Sequence, residues 1–178
     1  KDKELLVNLT LVNEYKKAVD ESAIVTKTTP AGIITFVNDE FCRISGYSRE
    51  EVLGKSHNIV RHPDMDPLFF KELWETISSG KIWEGEIKNL KKNKDFYWVK
   101  ATITAQKDNE GNIIGYASVR QDITDKKKAI ELHTQIRNMI DNIEDGFLIF
   151  DKNLEAERSY SKSCLTILNQ DELLKKDI

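Results

Sequence analysis

The spacing of apolar residues changes several times along the chain, and each change predicts a different element. Over residues 1–20 apolar side chains recur at helical spacing, at Leu5, Leu9, Val12 and Val19. Such a pattern predicts an amphipathic helix that must bury one face against a domain or a second copy of the chain. Two short strands are expected next, joined by a turn at Pro30, Ala31 and Gly32.

Residues 38–80 contain three signals that predict the start of a helix. Asn38 is a good N-cap for a short helix that ends near Gly46, because acidic residues follow it in the first turn. Ser48 begins a capping box and a one-turn helix. Asp66 caps a longer helix, in which Pro67 takes the first helical position.

Three strands are predicted at about residues 82–90, 96–106 and 113–122, with hairpin turns between them. Helices gathered on one side of an antiparallel sheet define an α+β fold. Alternation along the strands divides the side chains between a concave face and its opposite. The predicted concave face comprises Trp83, Gly85, Ile87, Asn89, Val99, Ala101, Ile103, Ala105, Ile113, Gly115, Ala117 and Val119. The opposite face carries Phe96, Trp98, Ile114 and Tyr116, and the N-terminal helix is expected to cover it.

The pattern after residue 124 is helical again. Its apolar residues follow a 3-4-3-4 spacing, at Ala129, Leu132, Ile136, Met139 and Ile143. This predicts a coiled-coil seam about two heptads long, with a helix that packs within its own chain as the alternative. Residues 144–178 loosely repeat the pattern of the front half. The expected organisation is a cap helix (1–21), a sensor domain (22–124), a helical linker (125–143) and the start of a second, truncated domain (144–178).

Composition narrows the class of protein. Hydrophobic residues make up 39% and charged residues 32% of the chain, as in soluble globular proteins. A net charge of −3 provides no basic field for nucleic acid. No apolar run approaches the roughly 20 residues that a membrane helix needs, so no direct membrane contact is expected in this part of the protein. Cys42 and Cys164 lack metal-binding spacing, and we expect free thiols in a cytoplasmic location, although the parent protein could be membrane-associated.

One polar segment is a candidate functional site, because residues 56–70 contain His57, Arg61, His62 and Asp64. A zinc site lacks a third His or a nearby Cys, and hydrolase or phosphate-binding motifs do not occur, so we expect no catalytic activity. Two interpretations remain open. The segment is either a lid whose arginine binds an anionic ligand group, or a loop held by a local Arg61–Asp64 pair. The amide of Asn89, on an apolar face, also needs a partner, either a buried water or backbone group or a ligand.

Residues 22–124 resemble a PAS domain. The segments "HNIVRHPDM", "LWETI", "WEGEIKN", "YWVKA" and "GYASVR" make the chain similar, more narrowly, to the FAD-binding PAS domain of aerotaxis receptors. This resemblance implies a sensory module that holds FAD non-covalently and reports redox or oxygen status through a helical exit. The implied flavin-binding positions are Asn38, Arg61, His62, Asp64, Trp74 and Asn89.

The tail resembles the start of a sensor segment found ahead of kinase modules in bacterial histidine kinases. It favours a sensor kinase as the parent protein over a chemoreceptor, with a diguanylate cyclase as the third choice. An output domain is expected further along the chain. We expect a homodimer through the N-terminal and linker helices. The alternatives are a domain that holds haem, with His57 or His62 as the axial ligand, or a ligand-free domain whose role is dimerisation.

Overall fold

The computed structural model describes residues 2–142, 148–150 and 156–160. They form two compact units that divide between Thr124 and Asp125. The first unit contains α1 (Asp2–Ser22), β1 (Ile24–Thr28), β2 (Ile34–Val37), α2 (Asp39–Ser45), α3 (Arg49–Val52), a 3₁₀ turn (His57–Val60), α4 (Pro67–Ser78), β3 (Trp83–Leu90), β4 (Phe96–Lys107) and β5 (Ile113–Asp122).

The five strands form one antiparallel sheet in the order β2-β1-β5-β4-β3. The helices between β2 and β3 contribute to a core against one face of this sheet. The predicted α+β fold is therefore confirmed, and the three long strands begin and end within a residue of their predicted limits. The largest fully buried apolar side chains are Ile24, Ile34, Val37, Phe41, Val52, Val60, Ile77, Tyr97 and Val99.

The predicted helix starts are present. Asn38 Oδ1 accepts a hydrogen bond from the Phe41 amide at 3.1 Å, and Ser48 forms both hydrogen bonds of its capping box. Asp66 Oδ1 accepts from the Leu68 amide at 2.8 Å, next to Pro67 at the first helical position. These signals are local in the sequence, and this is why they could be predicted without knowledge of the fold.

The inner face of β5 differs from the prediction. Tyr116, Ser118 and Arg120 are buried, whereas Val119 is 45% exposed. Ile113 packs against the core as predicted, but the pairing of β4 with β5 shifts by one residue between Gln106 and Lys107. Because the shift inserts a residue, the alternation beyond it is reversed, and the assignment of Ala117 and Val119 to the inner face is wrong.

The outer face of the sheet is not covered by α1. Phe96 and Ile114 are exposed there, and so are Leu5, Leu9 and Val12 on the helix. The end of α1 is held by the Asn38 side chain, whose Nδ2 donates to the Asp20 carbonyl at 3.1 Å and to the Ala23 carbonyl at 2.7 Å. These bonds anchor only the last turn, and apolar surface remains exposed on both the helix and the sheet.

The second unit contains most of α5 (Thr124–Asp141), β6 (Leu148–Phe150) and β7 (Ala156–Tyr160). The two strands pair antiparallel. The seam residues Leu132, Ile136 and Met139 are exposed. Ile143 and most of the predicted second domain, including Cys164, lie outside the described residues. Within the described ranges, no helix is long and apolar enough to cross a membrane.

Replacing Asn38 with alanine should destabilise the first unit by about 3 kcal/mol. The change removes a helix cap and leaves the backbone groups of Val25 and Ala23 without their side-chain partner, at a cost of about 1–3 kcal/mol for a buried group. Urea unfolding would measure the loss. Asn109→Ala on the exposed turn before β5 is the control, with a change within about 0.5 kcal/mol. Equal stabilities of the two variants would contradict the anchoring role.

Candidate functional site

A cavity lies between the inner face of the sheet and α4, with an empty volume of about 650 Å³ that includes its opening to solvent. It receives side chains from β1, the β1–β2 turn, the 3₁₀ turn, α4 and the three long strands. Much of the wall is apolar, formed by Phe70, Leu73, Ile77, Ile87, Ile103 and Tyr116. An apolar cavity with a few converging polar groups is the usual form of a small-molecule site.

Trp74 forms a flat wall beside the opening. Its ring meets Tyr116 edge-on, with ring centroids 5.6 Å apart at 77°. On the other side it lies against Gly32, where an added Cβ would be 3.0 Å from the tryptophan Cη2. Gly32 also has a φ of +76°, which a residue with a side chain rarely adopts. At 37% exposure, Trp74 keeps part of its ring available to a ligand.

Arg61 and Asn89 form a second wall. An isolated antiparallel bridge joins their backbones, so the end of the 3₁₀ turn is attached to β3. The Arg61 guanidinium lies 3.8 Å from the centre of the Phe70 ring, in cation–π geometry. Asn89 is buried and lies opposite Tyr97 in the pairing of β3 with β4. Burial raises the pKa of Tyr97 to about 12, so its hydroxyl stays protonated at neutral pH.

Sequence reasoning missed the polar inner face of β1 and β5. Arg120 Nη1 lies 2.9 Å from His57 Nε2. Within the described part of the chain, the buried atoms Arg120 Nε, Ser118 Oγ and Thr26 Oγ1 have no hydrogen-bond partner. All three residues line the cavity. The sequence signal was the alternating Tyr-Ala-Ser-Val-Arg of β5, which is ambiguous without the strand pairing.

The charge states of half-buried His57 and buried Arg120 follow from their surroundings. Loss of solvation, and then the charge of Arg120, hold the pKa of His57 well below its usual value. The imidazole is therefore neutral, and its Nε2 accepts from the guanidinium. Burial lowers the pKa of Arg120 to about 10, which leaves it a cation at neutral pH.

Three of the six positions implied by the resemblance line the cavity, namely Arg61, Trp74 and Asn89. The other three, Asn38, His62 and Asp64, do not. Asn38 joins α2 to the start of β1, where its Oδ1 accepts from the Val25 amide at 3.0 Å.

The polar segment after the 3₁₀ turn is fixed to the sheet. Asp64 Oδ2 accepts from Lys88 Nζ at 3.0 Å, and this hydrogen bond lowers the pKa of the carboxyl group. The local Arg61–Asp64 pair that the sequence allowed is therefore replaced by Asp64–Lys88. His62 Nδ1 accepts from the Asp64 amide at 3.2 Å, and its ring meets Phe96 edge-on.

The residues present fit a flavin. Its flat ring system matches the apolar walls, and the oxygen and nitrogen acceptors along one edge match the buried donors that lack a partner. A haem fits less well. Its axial ligand would have to be His57, whose Nε2 is held by Arg120, because His62 is not part of the cavity wall.

Comparison with known proteins agrees with the fold. Residues 34–120 match the family model of the PAS fold. This part of the chain has the PAS fold.

Among its relatives is the aerotaxis receptor of Escherichia coli (strain K12), 41% identical over 62% of this chain and 22% of the receptor. A blue-light-activated histidine kinase of Brucella anthropi is 26% identical over 63% of this chain and 23% of the kinase. A light-oxygen-voltage domain studied with a flavin analogue has a TM-score of 0.59 at 21% identity, and covers 72% of this chain and 96% of that one. The chain thus spans less than a quarter of the length of the aerotaxis receptor and of the histidine kinase.

The neutral state of His57 predicts a dependence of stability on pH. A histidine whose pKa is lowered by folding binds a proton more readily when unfolded, so stability is present above about pH 6.5 and is lost as the pH falls. The loss should reach about 1 kcal/mol at pH 5.5. This His57-dependent loss should be absent from His57→Gln, whose side-chain oxygen can still accept a hydrogen bond from Arg120.

Urea unfolding at pH 7.5 and 5.5 measures this difference. Carboxylates titrate in the same range, so the relevant quantity is the wild-type loss minus that of His57→Gln. His133→Gln, at an exposed position on α5, is the matched control and should behave as the wild type. Identical losses in all three proteins would mean that His57 is protonated in the folded state.

Proposed function

We propose that this chain is a cytoplasmic sensory module that binds FAD in the cavity and reports its redox state through α5. The observation that carries the proposal is the convergence of Arg61, Trp74 and Asn89 on one cavity that also contains buried polar atoms without partners. These are three of the positions that the similarity to aerotaxis receptors implies. The likeness to light-oxygen-voltage domains shows the same fold.

Three side chains contact the cofactor in this proposal. Asn89, buried on the inner face of β3, hydrogen-bonds the polar edge of the isoalloxazine ring. Trp74 stacks on the adenine side, since it offers a large flat surface near the opening. Arg61, on the wall that it forms with Asn89, binds the pyrophosphate, for which its guanidinium is well suited.

The other three positions act by supporting the walls. Asn38 holds β1, which carries Thr26, against α2. Asp64 and His62 hold the segment after Arg61 against β3, through Lys88 on that strand. Substitutions at these three positions would therefore affect the flavin through the shape of the cavity.

The exit from the sheet offers a path for the signal. Asp122 Oδ1 accepts from the Thr124 amide at 2.8 Å where β5 passes into α5. The Trp98 amide donates to Thr124 Oγ1 at 2.9 Å, and the Ile123 amide donates to the Trp98 carbonyl at 2.9 Å. The helix start is therefore hydrogen-bonded to β4, whose neighbour β3 carries Asn89. A change at the flavin edge can alter this junction.

The parent protein is proposed to be a sensor histidine kinase that dimerises through α1 and α5. The exposed apolar residues of both helices support a paired arrangement, and a histidine kinase is among the relatives. In this arrangement the paired linker helices have two alternative registers that bury similar apolar area. The signal from the flavin shifts the balance between them.

The purified protein should be yellow, with flavin absorption near ~450 nm. Asn89→Ala should weaken flavin retention about 5- to 150-fold, because loss of a buried hydrogen-bond partner costs about 1–3 kcal/mol. Trp74→Ala should weaken it as well. Dissociation constants from fluorescence titration of FAD into apoprotein would measure both effects.

Asn109→Ala, on an exposed turn, is the matched control and should bind as the wild type. Stoichiometric flavin in both Asn89→Ala and Trp74→Ala after dialysis would refute the assigned contacts. A colourless wild-type protein that refuses added FAD would favour the ligand-free domain, and a Soret band would favour haem.

Cysteine cross-linking would test the path through α5. Leu132→Cys and Ile136→Cys, on the exposed seam, should cross-link between two copies, and their yields should change between the oxidised and reduced states. Glu131→Cys, beside the seam, is the control and should cross-link poorly. Identical patterns in both states would make α5 a rigid spacer, and a monomer at all concentrations would exclude the paired helix.

A further inference from the structure

Three buried donor groups lie side by side on the inner face of the sheet. Thr26 on β1 is the direct pairing partner of Ser118 on β5, and Arg120 follows two residues later on the same face. Directly paired side chains on one face have Cβ atoms about 4.5–5.5 Å apart, and the next residue on that face lies about 7 Å away. We call Thr26, Ser118 and Arg120 the donor cluster.

The donor cluster has the properties of a binding site. Thr26 is 1% exposed, and Ser118 and Arg120 are each 5% exposed. Yet Thr26 Oγ1, Ser118 Oγ and Arg120 Nε have no hydrogen-bond partner within the described part of the chain. Buried polar groups in native proteins are nearly always paired. Since all three residues line the cavity, the missing partners must be supplied from the cavity.

The charge of the cluster specifies its ligand further. The ion pairs within 4.0 Å among the described side chains do not include Arg120. Its guanidinium is hydrogen-bonded to His57, whose ring is neutral. A buried cation without a counter-ion favours a ligand that carries negative charge. The hydroxyl groups beside it add donors to the same point.

We propose that Thr26, Ser118 and Arg120 bind the N1 and C2-carbonyl edge of the flavin ring and stabilise the negative charge of its reduced form. This inference rests on the proposed function. When the flavin takes up two electrons from a low-potential donor and one proton at N5, a negative charge is left on N1 and the C2 oxygen. Charge near N1 is one of the ways by which proteins tune flavins. Arg120 thereby raises the reduction potential, and the two hydroxyls fix the ring orientation.

The first measurement needs no flavin. Thr26→Val and Ser118→Ala each remove a donor that lacks a partner in the apoprotein while nearly preserving its shape. They should therefore raise the apoprotein Tm by roughly 4 °C or more. The same variants should weaken FAD binding by about 5-fold or more. Donors with a purely structural role would give the opposite sign, a lower Tm with unchanged affinity, and that result would overturn the inference.

The second measurement is the reduction potential of bound FAD, titrated with dithionite against a reference dye. Arg120→Gln removes the charge and should reduce the preference for the reduced flavin about 10-fold or more, which lowers the potential by about 30 mV for a two-electron couple. Arg120→Lys keeps the charge and should retain most of the potential. Ile114→Val, at an exposed position of the same strand, is the control and should match the wild type.

The outcomes separate the inference from the proposed function. If the wild type binds FAD and Arg120→Gln has an unchanged potential, the donor cluster does not face N1, although the flavin proposal stands. If the wild type does not bind FAD, the proposed function fails and the inference fails with it. If Arg120→Gln does not fold, two other measurements test the inference. These are the reduction potential of FAD bound to Arg120→Lys, and the Tm and FAD affinity of Thr26→Val. A wild-type-like affinity and Tm in Thr26→Val, with a lowered potential in Arg120→Lys, would then overturn it.

Discussion

The hydrogen bond between Arg120 and His57 is the interaction on which the interior of this domain depends. The Arg120 guanidinium belongs to β5, the central strand of the sheet, and has no carboxylate partner among the described residues. Burial of an unpaired charge is costly, and the surrounding groups reduce that cost. His57 stays neutral and accepts a hydrogen bond, which attaches the 3₁₀ turn to the sheet from across the cavity.

The cavity and the polar inner face of the sheet occur together, and Arg120 and His57 both line the cavity. A domain built for stability alone would fill the space between α4 and β5 with apolar side chains, because these are well tolerated in cores. Here Thr26, Ser118 and Arg120 occupy the central positions instead. β5 also ends at Asp122, where hydrogen bonds connect the sheet to the start of α5. The strand that lines the cavity with Tyr116, Ser118 and Arg120 is thus also the strand that leads out of the domain.

Three of the six positions implied by the family resemblance line the cavity, and the resemblance alone could not assign roles to the six residues. The cavity is lined by Arg61, Trp74 and Asn89. The Asn38 side chain instead forms hydrogen bonds with the backbone of β1, α1 and α2. Similarly, Asp64 binds Lys88 on β3, a residue 24 positions away that the local sequence did not suggest. A motif indicates which positions are functionally relevant. Only the contacts show whether a residue lines the cavity or supports its wall from outside.

The sequence alone determined the elements and the class of fold, because caps, turns and strand alternation act over a few residues. Asn38, Ser48 and Asp66 begin their helices as predicted, and the long strands have nearly the predicted limits. Tertiary structure alone decided which side of β5 faces inward. A one-residue shift in its pairing with β4 reverses the alternation, so the polar Ser118 and Arg120 face inward and Val119 faces outward. The pairing of Arg120 with His57, 63 residues apart, likewise exists only because the sheet and the 3₁₀ turn enclose the same cavity.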